Sequence, residues 1–316
     1  MSRLALVSAA NDRYLELLEG MLGSLAEKLT EYDLKIIDLG LSPESIERIK
    51  AFQERVEFAD PGWRRSVPGH QTTQQHKKVH IAKPYIPQIF PGYEGYLWVD
   101  ADVWFQDPTA LDDYVVAAAQ SDATFSFESH PMYRSNQKIR HFRIFGRPII
   151  KGVKDYFFQK MLRMFGPEVA VEVGYRQVLN SGVFYIASGS EVWSAWQQTI
   201  ELANLKRHYK STQISDQTCL QVALIRRQLP HGIVPATHNW LPGRAAPLFD
   251  TATGTLLDPM FPNAPIKAIH LVNFRSTGFR LPTREGNHIE ADLSWGAFQS
   301  LRAEFLENPQ NNARAS

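Results

Sequence analysis

Two aspartates one residue apart, Asp100 and Asp102, end the apolar run Tyr96-Leu97-Trp98-Val99. In an extended chain positions i and i+2 face the same way, so both carboxylates would project from one side of a strand end. Held that close they repel and raise each other's pKa unless a cation joins them. A hard divalent ion such as Mg²⁺ or Mn²⁺ takes one or two carboxylates and fills its shell with water and phosphate oxygens. The pair therefore reads as a metal–diphosphate site. Among fifteen aspartates the bare spacing arises by chance about 0.7 times, so the buried strand feeding it is what carries weight. In open α/β sheets ligands bind at such carboxyl ends. Asp107, Asp112 and Asp113 nearby read instead as solvated turn acids.

The elements that must hold this pair can be read from pattern. Leu4 to Ala9 is a strand, followed by Asn11 and Asp12 as caps and a helical stripe of Tyr14, Leu18, Met21, Leu22, Leu25 and Leu29. Lys35 to Leu39 is a second strand, then Ser42-Pro43 starts a short helix. Val56 to Phe58 forms a third strand. A helix over Gln74 to Phe90 should break at Pro84 or Pro87. Asp107-Pro108 begins another helix, and Ala123 to Phe127 returns as strand. Later come strand Val183 to Ala187, helices Ser190 to Leu205 and Asp216 to Arg227, an irregular stretch from Pro230 to Pro265, and a last strand, Lys267 to Val272. This alternation predicts an α/β fold, a mostly parallel mixed sheet flanked by helices, in one domain. Its parts are a nucleotide-binding half (1–128), a basic aromatic insert (129–175), an irregular half (176–306) and a polar tail (307–316).

Composition narrows the class. The 316 residues are 44% apolar and 21% charged, as in ordinary globular chains, and the net charge of +1 excludes a global field for nucleic acid. A single cysteine allows no internal disulfide, which points to a reducing compartment. The N-terminus turns polar too soon for a signal sequence, and no run reaches the length of a membrane span. The expectation is a cytoplasmic protein, at most peripheral to a membrane.

Several segments, in order, resemble the GT-A fold nucleotide-sugar glycosyltransferases, most closely the retaining family 8 group of bacterial galactosyltransferases and glycogenin. They are Ser8-Ala9-Ala10-Asn11-Asp12-Arg13-Tyr14, Asp38-Leu39-Gly40-Leu41-Ser42, Ile81-Ala82-Lys83-Pro84-Tyr85, Asp100-Ala101-Asp102, Asn180-Ser181-Gly182-Val183-Phe184, Ser215-Asp216-Gln217, Asn239-Trp240 and His270. The resemblance implies a Rossmann-related GT-A sheet with an irregular acceptor-side half, and a Mn²⁺- or Mg²⁺-dependent transfer from a nucleoside diphosphate sugar, a UDP-sugar. The acceptor hydroxyl would sit on a glycan, a lipid-linked molecule or a protein. Asp100, Asp102 and His270 would ligate the metal. Ala9, Ala10, Asn11, Asp12, Tyr14, Lys83, Asp100, Ala101, Asn180 and Ser181 would bind the donor, with Tyr14 stacked on the base and Lys83 on the diphosphate. Asp216 and Gln217 would lie at the reaction centre. Two departures stand out. Lys83 replaces the usual arginine, and the Gly, Lys and Pro-Trp that usually follow the histidine are absent, leaving Arg275 or Arg280 as the diphosphate cation.

Each residue also has a plainer reading. Tyr14 begins a helix core stripe, Asn11 and Asp12 are good caps, Lys83 suits a solvated helix face, Asn180 a turn and Asp216 a first helical turn. An apolar strand followed by Asp-x-Asp also opens haloacid-dehalogenase-like phosphatases, with Asp100 as nucleophile, and a non-catalytic nucleotide-sugar or glycan binder would keep the same residues. Residues 131–165 carry nine basic side chains against Asp155 alone, interleaved with seven aromatics. That insert fits an anionic acceptor, an anionic membrane surface or nucleic acid, or simply a solvated basic face over an aromatic core, the plainest of these readings.

Overall fold

The computed structural model of the chain describes residues 3–60, 79–133, 138–206, 214–272 and 276–307. In chain order the first half forms β1 (Leu4–Ala10), α1 (Leu15–Ser24), β2 (Asp33–Asp38), α2 (Pro43–Lys50), β3 (Glu57–Ala59), α3 (Val79–Ala82), α4 (Ile86–Ile89), β4 (Gly95–Val99), β5 (Val103–Phe105), α5 (Ala110–Ala117) and β6 (Ala123–Phe127). The second half adds β7 (Ile139–Ile144), β8 (Arg147–Val153), α6 (Tyr156–Phe165), α7 (Pro167–Val173), β9 (Leu179–Ala187), α8 (Glu191–Lys206), α9 (Asp216–Arg226) and β10 (Gly232–Val234). It continues with β11 (Leu248–Asp250), β12 (Thr255–Leu257), β13 (Ala268–His270), β14 (Phe279–Pro282), β15 (His288–Ala291) and α10 (Trp295–Glu307).

Seven strands form one sheet in the order β10-β6-β9-β4-β1-β2-β3. All neighbours pair parallel except β9, which runs antiparallel to both β4 and β6. Both faces are covered, and the period of two in β1 shows it. Ala5, Val7 and Ala9 join a core with α8 and α9, while Leu6 and Ala10 join another with α1 and α5. From β1 the chain winds outward through β2 and β3, then restarts on the other side at β4, so β1 and β4 flank the switch point where such sheets bind ligands. Because β9 is reversed, its first residues reach that same edge.

Several sequence expectations need correction. Helix α1 stops at Ser24 instead of running on to Leu29; Leu25 and Leu29 are buried by turns. Of the helix expected over Gln74 to Phe90, the described part breaks at Pro84, where a 3₁₀ turn separates α3 from α4. The strand expected over Lys267 to Val272 is shorter and is not the last. Two more strands and α10 follow it, building a third core with Trp104, Trp240, Phe249 and Phe298. Helix α10 docks on α1 where Gly20 and Gly23 leave room for the Trp295 ring; a Cβ at either glycine would stand 3.1 Å from it. Of the acids read as solvated turn residues, Asp112 and Asp113 lie on α5 with side chains 44% and 42% exposed, and they also form ion pairs, Asp112 with Lys28 and Asp113 with Lys267.

Candidate active site

The acidic pair leaves β4 through a turn. Val103 N donates to Asp100 O at 3.0 Å, so the extended geometry expected from the spacing is replaced by a chain reversal into β5. The two carboxylates converge for a different reason. Strand β5 pairs antiparallel with β13, setting His270 opposite Val103, and Leu271 N donates to Asp102 O at 2.8 Å. His270 Nε2 thereby lies 3.3 Å from Asp102 Oδ1 and 4.0 Å from Asp100 Oδ2. One ligand atom from each of the three residues falls within 4.8 Å of the others.

The histidine is oriented from behind. Asn239 donates through Nδ2 to Asn180 Oδ1 at 2.8 Å, which leaves its Oδ1 to accept from His270 Nδ1 at 3.0 Å. The Nε2 lone pair then faces the carboxylates, the tautomer a metal ligand needs. Gly182 makes this packing possible, since a Cβ there would meet the His270 ring, with Nδ1 at 2.8 Å and Asn180 Oδ1 at 2.9 Å. Burial opposes charge on His270, but Asp102 and Asp100 outweigh it and raise its pKa. Burial, resisted by Lys83 and aided by Asp102, likewise raises Asp100. Two carboxylate oxygens and an imidazole nitrogen with excess negative charge fit a borderline-hard divalent ion that keeps open positions for water and phosphate.

Lys83 is neither solvated nor on a helix face: it is 2% exposed. Its Nζ reaches Asp100 Oδ1 at 2.9 Å, Asp216 Oδ2 at 3.1 Å and Ser181 O at 2.9 Å, and sits 4.8 Å from the Trp98 ring centroid. Those three acceptors match the three protons of an ammonium. Asp216 Oδ1 is bonded by His80 Nδ1 at 2.9 Å, and Ser181 Oγ donates to Oδ2 at 3.0 Å. Burial works against the Asp216 charge, yet Lys83 and His80 hold its pKa well below the usual carboxylate range. Ser215 caps α9 through Thr218 N, which fixes Asp216 at the helix start.

Next to it lies a group the sequence reading missed. Glu128 follows β6 as Asp100 follows β4; Asp100 N donates to Gly182 O of the reversed β9 at 2.7 Å, and Glu128 N to Val178 O, just before β9, at 2.7 Å. Glu128 Oε2 accepts from Asn180 Nδ2 at 3.0 Å and Gln217 Nε2 at 2.6 Å, and Arg244 lies 3.4 Å from Oε1. Burial raises its pKa, partly offset by Gln217 and Arg244. The signal was present: an acid one residue past an apolar strand. His80 had none, because its partner Asp216 lies 136 residues away.

The remaining residues divide. Tyr14 is half-buried at the start of α1, and burial, then the charges of Asp102 and Asp100, raise its hydroxyl pKa, so it faces the acidic pair. Ala9, Ala10 and Ala101 are buried, their side chains in the two cores. Asn11 makes no capping bond, and its Oδ1 is a buried acceptor without a partner among the described residues. Asp12 does not cap α1 but braces the Ser42 cap of α2. Its Oδ1 accepts from Ser42 N at 2.8 Å and Ser45 Oγ at 2.6 Å, tying the β1 loop to α2. Arg280 is exposed on β14 opposite Glu290, and Arg275 lies outside the described residues.

No family model and no curated protein matches the chain. Solved structures do. The galactosyltransferase LgtC, determined with donor and acceptor sugar analogues, superposes with a TM-score of 0.53 at 17% identity, covering 95% of each chain. The bifunctional glycosyltransferase WbbM gives 0.56 at 17% identity over 96% of this chain and 50% of its own. The glycosyltransferase GlyE of Streptococcus pneumoniae TIGR4 gives 0.51 at 13% identity over 99% of this chain and 64% of its own. With its reversed β9, its switch point between β1 and β4, and these superpositions, the chain has the GT-A glycosyltransferase fold.

Proposed function

We propose that the protein is a glycosyltransferase that moves a sugar from a nucleoside diphosphate donor, a UDP-sugar, to an acceptor hydroxyl on a glycan, a lipid-linked molecule or a protein. The observation that carries this reading is the convergence of Asp100, Asp102 and His270 Nε2 at the sheet's switch point, with Asn239 presenting the imidazole lone pair. A divalent ion held there, Mn²⁺ or Mg²⁺, would supply a Lewis acid for the charge that develops on the departing diphosphate. The chain's own residues do the rest. Lys83 holds Asp100 by Oδ1 and leaves Oδ2 turned toward His270. Tyr14 and the unpartnered Asn11 Oδ1 stand after β1, on the side of the crevice where a base and ribose would lie. Asn180, Gln217 and Glu128 form a bonded cluster suited to reading sugar hydroxyls.

The same geometry argues against inversion with Asp216 as the base. An inverting enzyme needs a carboxylate base beside the acceptor. Asp216 is a poor one, because both its oxygens are bonded and its pKa is held well below the usual carboxylate range. It acts instead as the anchor for Lys83 and His80, and Gln217, which donates to Glu128 and Leu179 O, would lie near the reacting centre. The phosphatase reading loses support, since Asp100 Oδ1 is taken by Lys83 and by Trp98 Nε1 at 2.7 Å and β4 is the fourth strand of a GT-A sheet. Release of nucleoside diphosphate from a donor panel with Mn²⁺ tests the proposal, and Asp102→Ala should abolish it. Phosphate release from a monoester, or tight donor binding without turnover across acceptors of all three kinds, would contradict it.

A further inference from the structure

The β7–β8 hairpin takes no part in the site, and its two faces differ. On the inner face Ile139, Ile150 and Val153 pack on a cluster of Phe158, Met161, Val169 and Val173 from α6 and α7, and His141 bonds Tyr175. The outer face is what an aromatic core does not explain. Phe142 and Ile149 pair across the strands, each 39% exposed, next to Ile144 at 44%. Arg140, Arg147 and Lys151 share that face by strand alternation, and Lys151 Nζ lies 5.2 Å from the Phe142 ring. From Lys138 to Lys154 there are six cations and no acid.

The tip departs from turn chemistry twice. Ile144 pairs with Arg147, so the turn is the two residues Phe145 and Gly146, with φ of 48° and 79°. Such a turn favours Asn-Gly, and a bulky side chain at positive φ is strained. Phe145 is also fully exposed, at 101%. Arg143 holds the turn closed by donating to Gly146 O at 2.9 Å. An aromatic kept where both backbone and solvent disfavour it points to a use for its side chain.

We propose that this hairpin docks the protein on an anionic lipid bilayer. Phe145 and Ile144 enter the interfacial layer, and Arg140, Arg147 and Lys151 meet the phosphate headgroups. Charge complementarity selects an anionic surface. The aliphatic Ile144 and Ile149 select lipid over nucleic acid, whose backbone offers them nothing to bury against. Docking is separate from sugar transfer, and either could hold without the other.

Sedimentation of the full chain with vesicles tests it. The protein should pellet with phosphatidylcholine vesicles containing phosphatidylglycerol, less so at high salt, and not with phosphatidylcholine alone. Phe145→Asn, which suits the turn, should keep the fold by circular dichroism and weaken binding about tenfold, the loss expected when one aromatic leaves the interface. Lys151→Glu should weaken it about fivefold or more. Diphosphate release with a water-soluble acceptor should not change in Phe145→Asn, so failure here is distinct from failure of the transfer reading. Absence of binding to anionic vesicles, equal binding by Phe145→Asn, or preference for single-stranded DNA over those vesicles would overturn the proposal.

Discussion

The two ends of the crevice edge handle charge in opposite ways. At the β4 end, Asp100, Asp102 and His270 concentrate negative charge, and the raised pKa values of Asp100 and His270 show the cluster drawing protons in place of a cation. At the other end Asp216 is held by Lys83 and His80, and Glu128, past the end of β6 two strands from β4, by Arg244 and two amides. The first end is incomplete without a positive partner. The second is satisfied by its own side chains, which suits hydrogen bonding to neutral hydroxyls. Lys83 touches both, so it couples an electrostatic demand to an electrostatic balance.

The largest effect should come from removing charge at the demanding end. Asp102→Ala should lower metal-dependent diphosphate release by about 10³-fold, the several kcal/mol a Lewis acid contributes. A loss under tenfold would break the contrast. Lys83→Met should act on stability first. It strands Asp100 and Asp216 as buried carboxylates, so urea unfolding should register a loss of about 3 kcal/mol, and an unchanged midpoint would show that the lysine holds neither. At the balanced end, Gln217→Ala should reduce turnover about 10- to 100-fold while Mn²⁺ affinity stays within error. A matching fall in Mn²⁺ affinity would merge the two ends into one site.

The pH response separates them again with smaller effects. His270 has a folded pKa above its ordinary value, so without metal its contribution to stability is present below about pH 6.5 and fades as pH rises through the raised pKa. Mn²⁺ replaces the proton, so the rise in melting temperature it causes should be larger at pH 8 than at pH 6. Asp216 has the opposite sign. Its depressed pKa contributes above its ordinary value of 3.8 and is lost on acidification through the folded pKa. Stability of the metal-free protein should therefore fall on the acid side even as the His270 contribution becomes complete.

How much of this was legible depends on where each signal lies. Strands β1 and β4 were readable because burial on both faces makes them continuous apolar runs ending in Asn11 and Asp100. Strands β14 and β15 and helix α10 were not, because β14 and β15 are short and each buries a single residue, and α10 buries only Phe298 and Phe305 among its described side chains. Lys83 looked solvated because the groups that enclose it lie 15 to 133 positions away. The convergence of Asp100 and Asp102 was expected, but for the wrong cause. A turn and the β5–β13 pairing bring it about, and no local spacing encodes a pairing across 167 residues.

The central claim is that residues 100, 102 and 270 together hold one divalent ion. Titration of Mn²⁺ into the protein with UDP present, read by electron paramagnetic resonance, addresses it directly. The expected result is one bound ion per chain in the wild type, with binding lost in Asp102→Ala and weakened in His270→Ala. Undiminished binding in both variants, or none in the wild type, would contradict the account.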